Sequence, residues 1–215
     1  MSKVLLARHG NTFGPGDKVV WVGAKEDLPL VHKGEEQAAA LGNALREARL
    51  TPERIITGPL LRTRRAAELV AVLCGFHGQI EIDERLREID YGSWGGKSCD
   101  EIIAEFGARA HRTWNEEHRR PDGVDWSPDE ATLRANALAV MQEAALSRRF
   151  ALVITSNGVL RYMHGVLGGD AHDAKVKTGN ICAVDIKTGQ RLFWNEAPSA
   201  ERLRTSFNPT PRPGF

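Results

Sequence analysis

The fold of the chain is indicated by Val4-Leu5-Leu6-Ala7-Arg8-His9-Gly10, a segment in which four apolar residues lead into a cation and an imidazole. An uninterrupted apolar run of this length predicts a strand that is buried on both faces, as in a parallel sheet covered by helices. The segment from Gly10 to Gly16 contains Gly and Pro and predicts a loop. Arg8 and His9 are therefore expected at the carboxyl end of a strand.

Apolar and amphipathic segments alternate along the rest of the chain. Helices are predicted over residues 34–50, 60–73 and 157–167, and strands over residues 55–57, 79–82 and 151–155. Residues 181–186 and 191–194 flank a Gly-containing turn, which is typical of a hairpin. This pattern predicts an α/β fold with a mainly parallel sheet, helices on both faces and a C-terminal hairpin at one edge.

The chain has 215 residues, which is enough for one well-buried domain, and we expect that domain over residues 1–200. Two further helical stretches, residues 100–119 and 129–147, are separated by a polar, Pro-containing segment. They predict a small helical cap within residues 97–148. Residues 201–215 contain three prolines and are predicted to be a poorly ordered tail.

The composition narrows the class of protein. With 29 basic and 28 acidic residues, the net charge gives no reason to expect nucleic acid or an anionic membrane as partner. The first apolar run is too short for a signal peptide, so a cytoplasmic protein is expected. The three cysteines are widely spaced, which predicts reduced thiols and neither a disulfide framework nor a metal site.

Reactive or anion-binding residues follow three of the predicted strands: Arg8-His9, Arg62 and Ser156-Asn157-Gly158. The carboxyl ends of parallel strands meet at one edge of the sheet, where ligands of such folds bind. Guanidinium groups and helix N-termini bind phosphate oxygens, and a neutral imidazole can attack phosphorus. An Arg-His-Gly tripeptide by itself is more often structural than catalytic, so the phosphate interpretation depends on these segments converging.

Four segments in the same order along the chain resemble the histidine phosphatase superfamily, also called the phosphoglycerate mutase-like family. Arg8-His9-Gly10-Asn11-Thr12 is similar to the family signature Arg-His-Gly-x-Thr. The other three are Asp27-Leu28-Pro29-Leu30 with Gly34, Leu60-Leu61-Arg62-Thr63-Arg64-Arg65-Ala66-Ala67-Glu68, and Leu86-Arg87-Glu88-Ile89-Asp90-Tyr91-Gly92. The similarity extends from residue 4 to about residue 184.

The resemblance implies a mechanism in which His9 attacks phosphorus and Glu88 protonates the leaving oxygen. It implies that the phosphoryl oxygens are held by Arg8, Arg62, Asn11 and Thr12, and that neither a metal nor a cofactor is needed. Without the resemblance, Glu88 could equally be a solvated acid beside Arg85 and Arg87.

The chain departs from the family pattern at the late strand, where a second His normally stands in a Ser-His-Gly motif. The corresponding residue here is Ser156 or Asn157, depending on how the motif is aligned. Either side chain can donate a hydrogen bond to a phosphoryl oxygen, but neither adds positive charge. Losing one such donor can cost about 2.7 to 4 kcal/mol in catalysis.

The leading prediction is a phosphatase that hydrolyses a small-molecule phosphate monoester through a phosphohistidine intermediate. Two alternatives stay open: a mutase of the phosphoglycerate mutase type, and a phospho-ligand-binding protein with weakened or no turnover. The expected partner is a small phosphorylated substrate. The sequence leaves the oligomeric state open, with a homodimer as one possible form.

Overall fold

The computed structural model describes residues 2–207, in which six strands form one sheet. The strands are β1 (Lys3–Arg8), β2 (Arg54–Thr57), β3 (Ile80–Ile82), β4 (Ala151–Thr155), β5 (Ile181–Asp185) and β6 (Gln190–Glu196). Their order across the sheet is β3-β2-β4-β1-β5-β6. Strands β1 to β4 are parallel, and β5 and β6 form an antiparallel hairpin at one edge. The predicted fold class is therefore confirmed.

Seven α-helices are present in the described part of the chain. They are α1 (His32–Ala48), α2 (Leu61–Cys74), α3 (Cys99–Phe106), α4 (Ala108–Asn115), α5 (Glu130–Ala144), α6 (Asn157–Val166) and α7 (Ala200–Phe207). None of them has the length and apolar character that would be needed to cross a bilayer.

Each face of the sheet has its own hydrophobic core, because successive side chains of a strand point to opposite faces. On β1, Val4 and Leu6 pack into a core with α5, α6 and the chain's tryptophans, which we call the α5–α6 core. Leu5 and Ala7 pack on the other face with α1, α2 and α7, in the α1–α2 core. Strand β1 is buried from both sides, as its apolar run predicts.

The region expected to form a cap differs from the prediction in two ways. The helix predicted over residues 100–119 is divided into α3 and α4 at Gly107, whose φ of 88° lies in the left-handed region that ends a helix. Helix α5 buries Leu133, Val140 and Met141 against the sheet and α6, so it belongs to a main layer of the fold. Only α3 and α4 remain as additions beside the strand ends.

Residues 201–207 are not the tail that the prolines predicted. They belong to α7, where Leu203 and Phe207 lie one helical turn apart and are buried in the α1–α2 core. The ring of Phe207 packs 4.6 Å from that of Phe150, measured between centroids. The apolar spacing of this pair, rather than the prolines that follow it, determines the structure here. The remainder of the predicted tail lies outside the described residues.

Candidate active site

The carboxyl ends of β1 and β4 lie side by side, because Arg8 and Thr155 are paired in the sheet and the His9 amide donates to the Thr155 carbonyl at 3.1 Å. A cavity of about 510 Å³ opens at this edge. Seven of the eight predicted site residues line it: Arg8, His9, Asn11, Thr12, Arg62, Glu88 and Asn157. Ser156 does not line it. The structure thus brings together residues from four separate segments of the chain.

His9 is held in one tautomer by a neighbour in the sequence. Its Nδ1 lies 2.7 Å from the carbonyl oxygen of Gly10. A carbonyl oxygen can only accept, so Nδ1 carries the proton and the lone pair of the neutral ring is on Nε2. Burial lowers the pKa of His9 well below its ordinary value, and the charges of Arg8 and Arg62 lower it further. The imidazole is therefore neutral at pH 7, as a nucleophile must be.

The loop after β1 is fixed by close contact with the start of α1. A Cβ atom on Gly10 would overlap with the backbone of Gly34, so these two backbone segments approach each other more closely than residues with side chains would allow. The Asn11 amide donates to Gln37 Oε1 at 2.8 Å, and the Asn11 carbonyl accepts from Val31 at 3.1 Å. This packing holds the Gly10 carbonyl that orients His9.

Arg8 and Arg62 are positioned by backbone carbonyls rather than by carboxylates. Arg8 Nη1 donates to Val176 O at 2.6 Å, and Arg62 donates to Glu26 O and Gly23 O at 2.9 and 3.0 Å. Burial lowers the pKa of Arg8 to about 10 and also lowers that of Arg62, and the charge of Glu88 opposes both shifts. Both guanidinium groups stay cationic at pH 7, which suits them to bind phosphoryl oxygens.

Both carboxylate oxygens of Glu88 accept hydrogen bonds from backbone amides. Oε1 accepts from the Ile89 amide at 2.9 Å, and Oε2 accepts from the Gly158 amide at 3.1 Å in the first turn of α6. Burial raises the pKa of Glu88, although the two amides and the charges of Arg62 and Arg8 favour its ionised form. A raised pKa favours the protonated form that a general acid uses.

Of the two residues that could correspond to the family's second His, Asn157 lines the cavity and Ser156 does not. Asn157 begins α6, and its Oδ1 accepts from the Val176 amide at 2.9 Å. The donor end of the amide, Nδ2, is therefore available to a ligand. Ser156 is completely buried, and its hydroxyl has no hydrogen-bond partner within residues 2–207. His164 does not line the cavity, because it packs on Trp194 and bonds Arg191 at 2.9 Å.

Two cations in the cavity wall, Arg161 and Lys175, were not predicted as site residues. Arg161 lies one helical turn after Asn157 on α6, so its helical spacing was a signal that could have placed it. Lys175 lies in the loop before β5, and no pattern in the sequence indicates where that loop runs. Within residues 2–207, no three His, Cys, Asp or Glu side chains are grouped closely enough to hold a metal ion.

The sequence model of the histidine phosphatase superfamily (branch 1) matches residues 4–195, so the chain belongs to this superfamily. The resemblance noted in the motifs is thereby confirmed. A protein of Salmonella arizonae named "Probable phosphoglycerate mutase GpmB" is 35% identical over 125 residues, which are 57% of this chain and 55% of that protein. The chain spans about half the length of the curated relatives it matches.

Solved structures share the fold over nearly the whole chain. Mycobacterial glucosyl-3-phosphoglycerate phosphatase has a TM-score of 0.73 and 18% identity, covering 92% of this chain and 100% of that one. Alpha-ribazole phosphatase from Shigella flexneri has a TM-score of 0.68 and 19% identity, covering 92% and 98%. At these identities the likeness concerns the fold, and the chemistry must be argued from the site itself.

Proposed function

We propose that the protein is a phosphatase that hydrolyses a small phosphate monoester through a phosphohistidine at His9. The observation that carries this proposal is the state of the imidazole. The Gly10 carbonyl holds it in one tautomer, burial and two guanidinium groups keep it neutral, and its lone pair is on Nε2. Such a group is a ready nucleophile for phosphorus.

The reaction proceeds in two steps. Nε2 of His9 forms a bond to phosphorus as the ester oxygen leaves, and protonated Glu88 gives its proton to that oxygen. Arg8 and Arg62 bind the phosphoryl oxygens, on which charge accumulates in the transition state. The Glu88 carboxylate then takes a proton from water, the water oxygen attacks the phosphohistidine, and phosphate leaves with the His9 lone pair restored.

Two other functions are consistent with particular observations. The relative named as a phosphoglycerate mutase supports a transfer in which the phosphoryl group returns to another hydroxyl instead of to water. Asn157, an uncharged residue in the cavity wall and one of the two candidates for the position of the family's second His, supports a phospho-ligand-binding protein with little turnover. Both are distinguished from the phosphatase by what happens to the phosphoryl group.

The test is to incubate the protein with a radiolabelled phosphate monoester and to measure phosphate release, isomer formation and covalent label. We expect an acid-labile, alkali-stable phosphohistidine at residue 9, together with released phosphate. His9→Ala should abolish both, whereas the matched control His77→Ala changes an exposed His away from the cavity and should retain both. Equal activity in His9→Ala would refute the mechanism, and phosphate binding without label or release would favour a binding protein.

A further inference from the structure

The cavity holds more positive charge than a phosphoryl group can match. Four cations line it, Arg8, Arg62, Arg161 and Lys175, and Glu88 is the one carboxylate among the described lining residues. A phosphate monoester carries at most two negative charges at neutral pH. Even with Glu88 ionised, a bound phosphoryl group leaves cationic charge without a partner.

Together with Arg62, Arg161 is one of two buried cations in this set. Its side chain is 6% exposed. Nη1 donates to the Trp114 carbonyl at 2.6 Å, and the guanidinium carbon lies 4.5 Å from the centroid of the Trp114 ring. Within residues 2–207 it forms no ion pair, and its buried Nε has no hydrogen-bond partner. Burying a guanidinium charge without a counter-ion costs free energy, and a bound anion would offset that cost.

Lys175 faces the same region from the loop before β5. Its Nζ lies 3.3 Å from Asn115 Oδ1 at the end of α4. Desolvation lowers the pKa of Lys175, and the positive charges of Arg161 and Arg8 lower it further. The ammonium group therefore lies within electrostatic range of both guanidinium groups, and an anion bound between them would relieve their repulsion.

The position of Arg161 distinguishes it from the phosphoryl-binding cations Arg8 and Arg62. The charges that act most strongly on His9 are those of Arg8 and Arg62. Arg161 instead lies in the wall between the active-site cavity and an adjoining cavity of about 460 Å³, next to α4. An anionic group there would belong to the remainder of the substrate and not to the phosphoryl group that His9 receives.

We propose that Arg161 and Lys175 form a subsite for a second anionic group of the substrate, either a carboxylate or a second phosphate. This inference rests on the proposed phosphatase function, and it restricts the substrates to phosphate esters with two acidic groups. Arg161 supplies the fixed, stacked donor, whereas exposed Lys175 supplies a mobile charge at the rim.

The test compares substrates that differ by one acidic group. For the carboxylate, 3-phosphoglycerate is compared with glycerol 3-phosphate, and for the phosphate, fructose 1,6-bisphosphate is compared with fructose 6-phosphate. The variants are Lys175→Gln, Arg161→Gln and the charge-conserving Arg161→Lys. Lys177→Gln is the matched control, because Lys177 is an exposed lysine of the same loop that does not line this cavity.

We expect wild type to prefer the doubly acidic substrate of at least one pair. Lys175→Gln and Arg161→Gln should lower kcat/KM for that substrate about tenfold to hundredfold, mainly through KM, because each removes a charged hydrogen bond. Arg161→Lys should retain part of the preference, and Lys177→Gln should behave as wild type. For the singly acidic partner, the change should stay within about twofold.

Equal losses on both members of a pair in the Arg161 variants would overturn the proposal, since Arg161 would then serve the phosphoryl group itself. An absence of preference in wild type would overturn it as well. Calorimetric binding of the same substrates keeps the two proposals distinguishable. Selective binding of the doubly acidic ligand without turnover would support the subsite and refute the phosphatase, and turnover without selectivity would do the reverse.

Discussion

At the scale of single residues, the site depends on which donor faces the phosphoryl group at the start of α6. Asn157 lines the cavity and turns its Oδ1 toward the Val176 amide, so it offers a neutral donor. A protonated imidazole in the same place would add charge where it accumulates in the transition state. Ser156, the other candidate, is buried and makes no contact with the cavity.

We therefore predict opposite outcomes for two neighbouring substitutions to His. Asn157→His should raise kcat about tenfold or more, because it supplies a charged donor to the phosphoryl group. Ser156→His should instead lower the free energy of unfolding by roughly 1–3 kcal/mol or more, because a larger side chain must enter a packed position. Initial rates and urea denaturation measure the two effects. A faster Ser156→His enzyme, or an Asn157→His enzyme with unchanged kcat, would contradict this assignment.

The residues of the site were predictable to the extent that a local pattern marked them. Arg8 and His9 follow an apolar run directly, and Glu88 lies in a recognisable segment. The choice between Ser156 and Asn157 was not predictable, because it depends on where strand β4 ends and helix α6 begins. Lys175 was not predictable for a different reason: a loop brings it to the cavity, and loop paths carry no periodicity.

At the scale of secondary structure elements, the first turn of α6 positions the proposed acid. The Gly158 amide donates to Glu88 Oε2, and a Cβ atom on Gly158 would overlap with Glu88 Oε1. The Glu88 carboxylate can thus approach the start of α6 only because residue 158 lacks a side chain. Glu88 connects α6 to the irregular segment that follows β3.

Gly158→Ala should therefore lower activity strongly while leaving the fold intact. The added methyl group would displace the Glu88 carboxylate, and we expect kcat to fall about 100-fold, comparable to losing an oriented catalytic group. Gly165→Ala is the matched control on the same helix, because its Cβ would meet nothing closer than Arg134 Nη1 at 3.6 Å. The control should keep its activity and gain up to about 1 kcal/mol of stability from helix propensity. Equal activities of the two variants would contradict this prediction, because they would show that the position of the Glu88 carboxylate does not limit activity.

The elements themselves were predicted well where the local apolar pattern was strong, as in the continuous apolar run of β4. The prediction failed where tertiary contacts rather than local pattern decide. Gly107 divides one predicted helix into two, and α5 covers the sheet instead of the strand ends. A pattern of apolar residues shows that a helix has a buried face, but not which surface buries it.

At the scale of the whole molecule, the sheet separates a core that adjoins the site from one that does not. The α5–α6 core reaches the cavity through Tyr91 and Trp114. The α1–α2 core lies on the opposite face, where α7 packs on α1 and buries Leu203. The two cores can therefore be perturbed separately.

Leu203→Ala should destabilise the protein without affecting the chemistry. Truncating this fully buried side chain should cost about 2–5 kcal/mol of unfolding free energy, because it removes apolar contacts and leaves a cavity. Thr205→Ala changes an exposed residue of the same helix and should stay within about 0.5 kcal/mol of wild type. Circular dichroism in urea measures both, and kcat/KM below the transition should be unchanged. A Leu203→Ala enzyme with wild-type stability would show that α7 contributes little to the fold.

The separation of the two cores also determines which part of this protein intrinsic tryptophan fluorescence can monitor. All five tryptophans of the sequence belong to the α5–α6 core or pack against it, whereas the rings of the α1–α2 core come from phenylalanines. Trp21, Tyr91, Trp94 and Trp126 are in edge or tilted contact, so excitation energy can pass between these neighbouring aromatic rings. Intrinsic emission therefore reports on the half of the molecule that contains the cavity. Tryptophan emission should change little when α7 frays. The fraying itself would be detected by a backbone measurement such as circular dichroism.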